Sequence, residues 1–228
     1  MSNNTKTAVI VGASRGLGLG LAKEYLARGW NVIATERAAG SSAALHALAT
    51  PALRIETIDI NVPEQTTALK ARLSGVSIDL LFVNAGVIDD VEPVANVSTD
   101  EFTRLMVTNA LSPLRVIESL DDLVLPAGTI AVMSSGLASV TNNTVGGYDV
   151  YRASKAALNT LMRSYAVRAG GKRSLIAMAP GHVRTDMGGD SAPLDVATST
   201  RGMADTIATH AGKPGLQFLS YQNAVLPW

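Results

Sequence analysis

The chain has 228 residues, 47% of them apolar, and its 19 Lys plus Arg balance 19 Asp plus Glu. That size supports one domain (1–228) around a substantial core, and the unblocked, neutral charge leaves no electrostatic footprint for nucleic acid or an anionic membrane surface. With no cysteine there is no disulfide, thiol nucleophile or thiolate metal site, and His46, His182 and His210 stand singly, so no metal is expected.

The opening MSNNTKTAVIVG lacks the basic start and long apolar centre of a secretory signal. No apolar run approaches the roughly 20 residues of a membrane-spanning helix, so a cytoplasmic protein is expected. Short β-branched runs then alternate with longer helical patterns, as in strands joined by crossover helices. The first strand is TAVIVG (7–12), and GASRGLG follows directly, with Gly12, Gly16 and Gly18 at the turn into a helix. Glycines there let the backbone approach a pyrophosphate, while the helix N-terminus offers free N–H groups and a partial positive charge. The same cluster also suits a plain tight turn, and without Gly-Lys-Ser/Thr it disfavours triphosphate hydrolysis. Leu17, Leu21, Ala22, Tyr25 and Leu26 share one face of the helix, which Gly29 stops.

NVIAT (31–35) is the second strand, and Glu36 ends it about 20 residues beyond the glycines, where a carboxylate accepts hydrogen bonds from an adenosine ribose and repels a 2′-phosphate. Arg37 and Arg15 favour that phosphate, or the three charges pair on the surface. The placement of Glu36 tips the expectation slightly towards NAD(H) over NADP(H). RIETIDI (54–60) and DLLFVN (79–84) are the next strands. Thr99 is expected to cap a helix running from about Asp100 past Asn109, which Pro113 should kink or break. TIAVMSS (129–135) is the fifth strand, with Ser134 and Ser135 at the carboxyl edge where ligands of parallel sheets bind. SLIAMAP (174–180) and LQFLS (216–220) complete the series. Runs this apolar are covered on both faces, so the expected fold is α/β, a doubly wound parallel sheet of about seven strands flanked by helices.

YRASKAALN (151–159) puts Tyr151 and Lys155 one turn apart on one helix face. A neighbouring ammonium favours the phenolate and makes tyrosine a usable acid or base nearer neutral pH, although an exposed Tyr-Lys pair also occurs as surface decoration. Tyr148 lacks a lysine four residues on, since Arg152 stands there.

Taken in order, these motifs resemble those of the short-chain dehydrogenase/reductase family, from the first strand to the last residues. The family's NNAG resembles VNAG at 83–86, with Asn84 kept and Val83 in place of the first asparagine. Asn109 in VTNALSP, Ser135 in VMSSG, the Tyr151 and Lys155 pair, and Pro180, Gly181 and Thr185 match in turn. NNTVGGYDVYRASKAALN, DMGGDSAPL and the closing LPW look most similar to the subgroup of C-factor-like signalling proteins and sniffer-type carbonyl reductases, whose loop before the tyrosine is also a few residues longer.

The resemblance implies a Rossmann-type fold that binds NAD(H) or NADP(H) and transfers a hydride to or from a carbonyl or alcohol carbon. It implies Tyr151 as general acid and base and Ser135, or Ser134 if the register slips, as the partner of the carbonyl oxygen. Lys155 would lower the tyrosine pKa and hold the nicotinamide ribose, and Asn109 would anchor a relay water. The implied cofactor shell comprises Gly12, Ser14, Arg15, Gly16, Leu17, Gly18, Glu36, Arg37, Asp59, Ile60, Asn84, Ala85, Gly86, Tyr151, Lys155, Pro180, Gly181, Val183 and Thr185. Asp59 matches the position that contacts adenine, with structural capping as its other reading. Leu137, Val140, Tyr148 and Met187 are the candidate substrate lining, suited to a ketone or aldehyde with an apolar body. Met187, Gly188 and Gly189 would form a mobile lid or an ordinary turn. The family also implies a homodimer or homotetramer, with a small-molecule substrate and neither nucleic acid nor membrane as partner. The competing reading is a nucleotide-binding signalling protein on this scaffold with little turnover, against which the retained serine, tyrosine and lysine weigh. A methyl-donor domain would leave YRASK unexplained.

Overall fold

In the computed structural model, which describes residues 5–88, 93–169 and 173–228, seven parallel strands form one sheet in the order β3-β2-β1-β4-β5-β6-β7. The strands are β1 (Thr7–Val11), β2 (Asn31–Glu36), β3 (Leu53–Thr57), β4 (Ile78–Val83), β5 (Val124–Met133), β6 (Ser174–Ala179) and β7 (Gly215–Ser220). The connecting helices are α1 (Gly16–Ala27), α2 (Ala43–His46), α3 (Pro63–Arg72), α4 (Thr99–Met106), α5 (Ser112–Leu120), α6 (Asp149–Arg168) and α7 (Val196–His210). Strand order reverses at β1: the chain winds outward to β3, then returns to lay β4 on the other side. A crevice opens at the carboxyl ends of β1 and β4 for that reason.

Alternation along the strands divides the core between the two faces. Val9, Val11, Leu81, Val83, Ile130 and Val132 meet Leu69, Ile117, Leu158 and Met162 from α3, α5 and α6. The intervening Ala8, Ile10, Leu80, Phe82, Ala131 and Met133 meet Leu21, Tyr25, Met203 and Ile207 from α1 and α7. Because both faces are covered, the strands read as unbroken apolar runs, and the expected doubly wound sheet is what they form. Gly20 lets α7 close on α1, since a Cβ there would lie 2.4 Å from Val196 Cγ1. Among the described residues no helix is long and apolar enough to cross a membrane.

Four local expectations need correction. β3 ends at Thr57 instead of 60, because Asn61 N–H folds back onto Asp59 Oδ1 at 2.9 Å and Pro63 opens α3. β5 starts at Val124, five residues ahead of 129, through a register shift that pairs Ile78 with Val124 and then Leu80 with Thr129. The cap of α4 is Ser98, whose side chain accepts from Glu101 N–H, and Thr99 is already helical. Pro113 neither kinks nor ends the run. A π turn over Val107–Leu111 has already widened the helical ladder, so the proline falls in the first turn of α5, where its missing N–H is tolerated.

Candidate active site and dinucleotide cleft

β1 must turn at once into α1, and Gly12 makes that turn at φ +87°. A Cβ on Gly12 would lie 2.8 Å from Ala85 Cα, and one on Gly18 only 2.0 Å from Gly12 O. Gly12 N–H donates to Thr35 Oγ1 at 2.9 Å, and Asn84 Nδ2 donates to Gly12 O at 2.6 Å. The N–H groups of Asn84 and Ala85 both reach Val11 O. Thus β1, β2 and β4 are sewn together beneath the glycine loop. No side chain caps the first turn of α1, which leaves its N–H groups available to an anion.

Beside this loop lies a cleft of about 550 Å³ lined by Gly12, Ser14, Arg15, Gly16 and Leu17, by Glu36, Arg37, Asp59 and Ile60, and by Asn84, Ala85 and Gly86. Tyr151, Lys155, Thr185 and Met187 also line it. Most of the expected shell is therefore in one place. Gly18 stands outside the lining and permits the close approach of α1 to β4. Pro180, Gly181 and Val183 also stand behind it. Pro180 O accepts from Ser199 Oγ, Gly181 turns at φ +82°, and buried Val183 bridges to Leu194. Thr185 is the member of that stretch that reaches the cleft.

Glu36 does not offer its carboxylate to the cleft as the sequence led us to expect. Oε1 accepts from Gly40 N–H at 2.6 Å and pairs with His46 Nε2 at 2.9 Å, while Oε2 accepts from Ser42 N–H at 2.9 Å and Ser41 Oγ at 3.3 Å. Burial pushes its pKa up, but these hydrogen bonds outweigh it and hold the carboxyl below its ordinary value. The lean towards NAD(H) drawn from Glu36 loses its basis there. Arg37 is exposed and makes no ion pair among the described residues, whereas Arg15 pairs with Asp186 at 2.9 Å, both well exposed.

At the other end, buried Tyr151 and Lys155 rise from the first turns of α6 beside the end of β5. Lys155 Nζ donates to Met133 O at 2.9 Å and lies 5.9 Å from the Tyr151 ring centroid. Burial lowers the Lys155 pKa to about 8. Burial also raises the Tyr151 pKa, against the pull of a hydrogen bond with the Ser135 hydroxyl. The expected lowering by Lys155 is not the dominant influence, because desolvation acts on both groups. Ser135 is half-buried and its Oγ also accepts from Leu137 N–H at 3.1 Å. Ser134 is buried and donates to Asn159 Oδ1 at 2.8 Å, away from Tyr151.

Asn109 sits wholly buried in the π turn. Oδ1 accepts from Val87 N–H and Nδ2 donates to Val87 O, both at 2.8 Å, and Nδ2 also donates to Ser154 Oγ at 2.9 Å. Its amide thus fixes the segment following β4 against α6 rather than facing the cleft. Leu137 packs on a small cluster of Leu105, Val150 and Tyr151. Tyr148 stands outside the cleft lining as the left-handed residue (φ +53°) preceding α6, and Val140 is 74% exposed. Met187 is the expected substrate residue that lines the cleft.

Sequence reasoning missed Thr35, Asn61, Thr108 and Asp186, which also line the cleft, and Arg152. Asn61 Nδ2 donates to Thr108 Oγ1 at 2.9 Å across 47 positions, a pairing with no local signal. Arg152 Nε donates to Gly147 O at 2.6 Å and Nη2 to Gly146 O at 2.9 Å, and its place inside YRASK was the available clue. Among the described residues no group of three or more His, Asp or Glu could hold a metal ion.

Residues 6–194 match the family model described as short chain dehydrogenase, and the chain belongs to that family of oxidoreductases. A Burkholderia multivorans protein assigned to the short-chain dehydrogenases/reductases, solved with bound NADP, is 48% identical over 98% of this chain and 100% of its own, with a TM-score of 0.95. The carbonyl reductase Sniffer of D. melanogaster is 31% identical over 99% of this chain and 100% of its own, with a TM-score of 0.89. C-signal of Myxococcus xanthus is 36% identical over 66% of this chain and 93% of its own length. The resemblance to the sniffer and C-factor subgroup holds in both sequence and structure.

Proposed function

We propose that this chain is an NADP(H)-dependent reductase of small carbonyl compounds, able to oxidise the matching alcohols in reverse, with Tyr151 as general acid and base. The observation that carries the reading is that Tyr151 and Lys155, with Ser135 hydrogen-bonded to Tyr151, line a glycine-rich cleft that Arg15 and Arg37 also line. The residues fit a dinucleotide, because a Cβ at Gly12 would obstruct the loop and the uncapped first turn of α1 can receive a pyrophosphate. Two guanidinium groups beside a Glu36 whose oxygens are already hydrogen-bonded suit a 2′-phosphate, and the relative with bound NADP supports that choice. When bound, the nicotinamide supplies or accepts the hydride.

In reduction Tyr151 gives its proton to the carbonyl oxygen as charge develops there, and the Ser135 hydroxyl donates to the same oxygen. Lys155 holds positive charge next to the phenol and the cofactor's ribose. Asn109 positions residues 86–88 and Ser154 around them. The substrate has an apolar body that meets Met187, and a cytoplasmic setting suits the cysteine-free composition. Exposed Phe102, Leu111 and Leu161 on α4, the π turn and α6 support a homo-oligomer, which light scattering tests.

The test is a fluorescence titration of the purified protein with NADPH and NADH, followed by a carbonyl panel with wild type and Tyr151→Phe. NADPH should bind more tightly. The variant should keep that binding and lose about 10²-fold or more in kcat. Full turnover by the variant rules out the role given to Tyr151, and binding without turnover by wild type favours a non-enzymatic nucleotide-binding protein.

A further inference from the structure

The Glu36 carboxylate is nearly inaccessible, and the groups that reach it all come from the ten residues that follow it in sequence. The segment 37–42 leaves β2 at Glu36 and returns to the carboxylate of the same residue through the N–H groups of Gly40 and Ser42. Both feet of this arch rest on one side chain. Gly40 turns the arch at φ +72° with open space around it. Ser42 then joins the arch to the glycine loop by donating to Ser14 O at 2.5 Å, while its Oγ accepts from Leu45 N–H at 3.1 Å. Arg37, Ala38 and Ser41, which belong to the arch, line the same cleft as Ser14 and Arg15.

We infer that Glu36 is a positioning residue for a 2′-phosphate receptor, an acid that raises affinity for the phosphorylated dinucleotide instead of selecting against it. The inference rests on the NADP(H) reading above. A carboxylate at the end of the second strand ordinarily repels the 2′-phosphate and holds the bare ribose. Here its acceptor sites are taken up by two backbone N–H groups, a hydroxyl and an imidazole, which hold the carboxylate inside the arch and turn its lone pairs away from a ligand. What the arch brings to the cleft is Arg37, Ala38 and Ser41, on a turn held in place through Glu36. Arg15, on the glycine loop, lines the same cleft and exchanges its exposed partner Asp186 for the phosphate at small cost.

The two readings of Glu36 predict opposite signs, so calorimetry on the full-length chain separates them. The probes are 2′,5′-ADP against 5′-AMP, and NADPH against NADH, with wild type, Glu36→Gln, Glu36→Ala and His46→Ala. Glu36→Gln and Glu36→Ala should lose about tenfold or more in affinity for 2′,5′-ADP and NADPH, with 5′-AMP and NADH changing by less than about threefold. His46→Ala, which removes one donor and leaves the arch's backbone bonds, should lose about two- to fivefold for the phosphorylated probes alone. It serves as the deciding variant if those at position 36 do not fold. Tighter binding of 2′,5′-ADP by a Glu36 variant, with weaker 5′-AMP, overturns the inference in favour of repulsion. Equal losses for all probes overturn it in favour of a general structural role, and unchanged phosphorylated-probe affinity in His46→Ala overturns it as well. If wild type binds none of the four, the dinucleotide reading itself fails and this inference falls with it.

Discussion

Lys155 Nζ donates to the Met133 carbonyl at 2.9 Å, so the lysine of α6 is docked on the last residue of β5, immediately before the Ser134-Ser135 pair. This hydrogen bond ties the base of the tyrosine helix to the strand that delivers the serine. It also keeps an ammonium in a buried place where the neutral amine competes with it, since its pKa falls to about 8.

Stability should therefore respond to pH through Lys155 with a defined sign. The folded pKa lies below the unfolded one, so between about 8 and about 10.4 the unfolded chain binds more protons at this site, and stability rises with pH. Below that window both states are protonated and the destabilisation is fully present. Comparing thermal unfolding of wild type and Lys155→Met from pH 7 to 10.5 isolates the effect, since most other groups cancel. Wild type should gain on the variant as pH rises; a flat difference would show that the lysine keeps its ordinary pKa.

Asn109→Ala should unfold earlier, because it leaves the Val87 N–H and C=O and the Ser154 hydroxyl without this partner in a buried setting. Such losses cost about 2–4 kcal/mol, or roughly 5–10 °C in Tm for a chain of this size. Calorimetric unfolding measures it, and a shift under about 2 °C would mean that the segment relaxes to find other partners.

Glycines 18 and 29 should part company. Gly18→Ala drives a methyl into Gly12 O and Asn84 Nδ2, so it should cost about 3 kcal/mol or more and abolish dinucleotide binding. Gly29→Ala meets nothing within 4 Å and suffers only its left-handed backbone, φ +76°, at about 1 kcal/mol with binding intact. Denaturant midpoints together with NADPH titration distinguish the pair.

Arg152→Ala should loosen the run of left-handed residues Gly146, Gly147 and Tyr148 that leads into α6, because the guanidinium holds the carbonyls of both glycines. Limited proteolysis should cut within 141–147 faster, and KM for a carbonyl substrate should rise about three- to tenfold while NADPH affinity stays. Unchanged cleavage and KM would make the clamp incidental.

The alternation of apolar runs was enough to read the doubly wound sheet, since strands covered on both faces must be apolar throughout. The glycine loop was legible for a similarly local reason: its spacing after β1 reflects turns that a Cβ would block. Element ends were harder. The π turn around Asn109 depends on how α4 and α5 pack against α6, and the early start of β5 depends on its pairing with β4.

Residue identity and order determined which groups the chain brings to the crevice: Tyr151 and Lys155 one turn apart, Ser135 after a strand, glycines after the first strand. These are short-range constraints, set by helical pitch and by where a parallel strand must stop. Tertiary structure decided what each group faces. It turned Ser134 to Asn159 and Ser135 to Tyr151, buried Lys155 against Met133, and folded the 40–46 segment onto Glu36. The direction of a side chain and the charge it retains follow from neighbours and burial that no local pattern encodes, so an acid at the end of β2 became part of the scaffold.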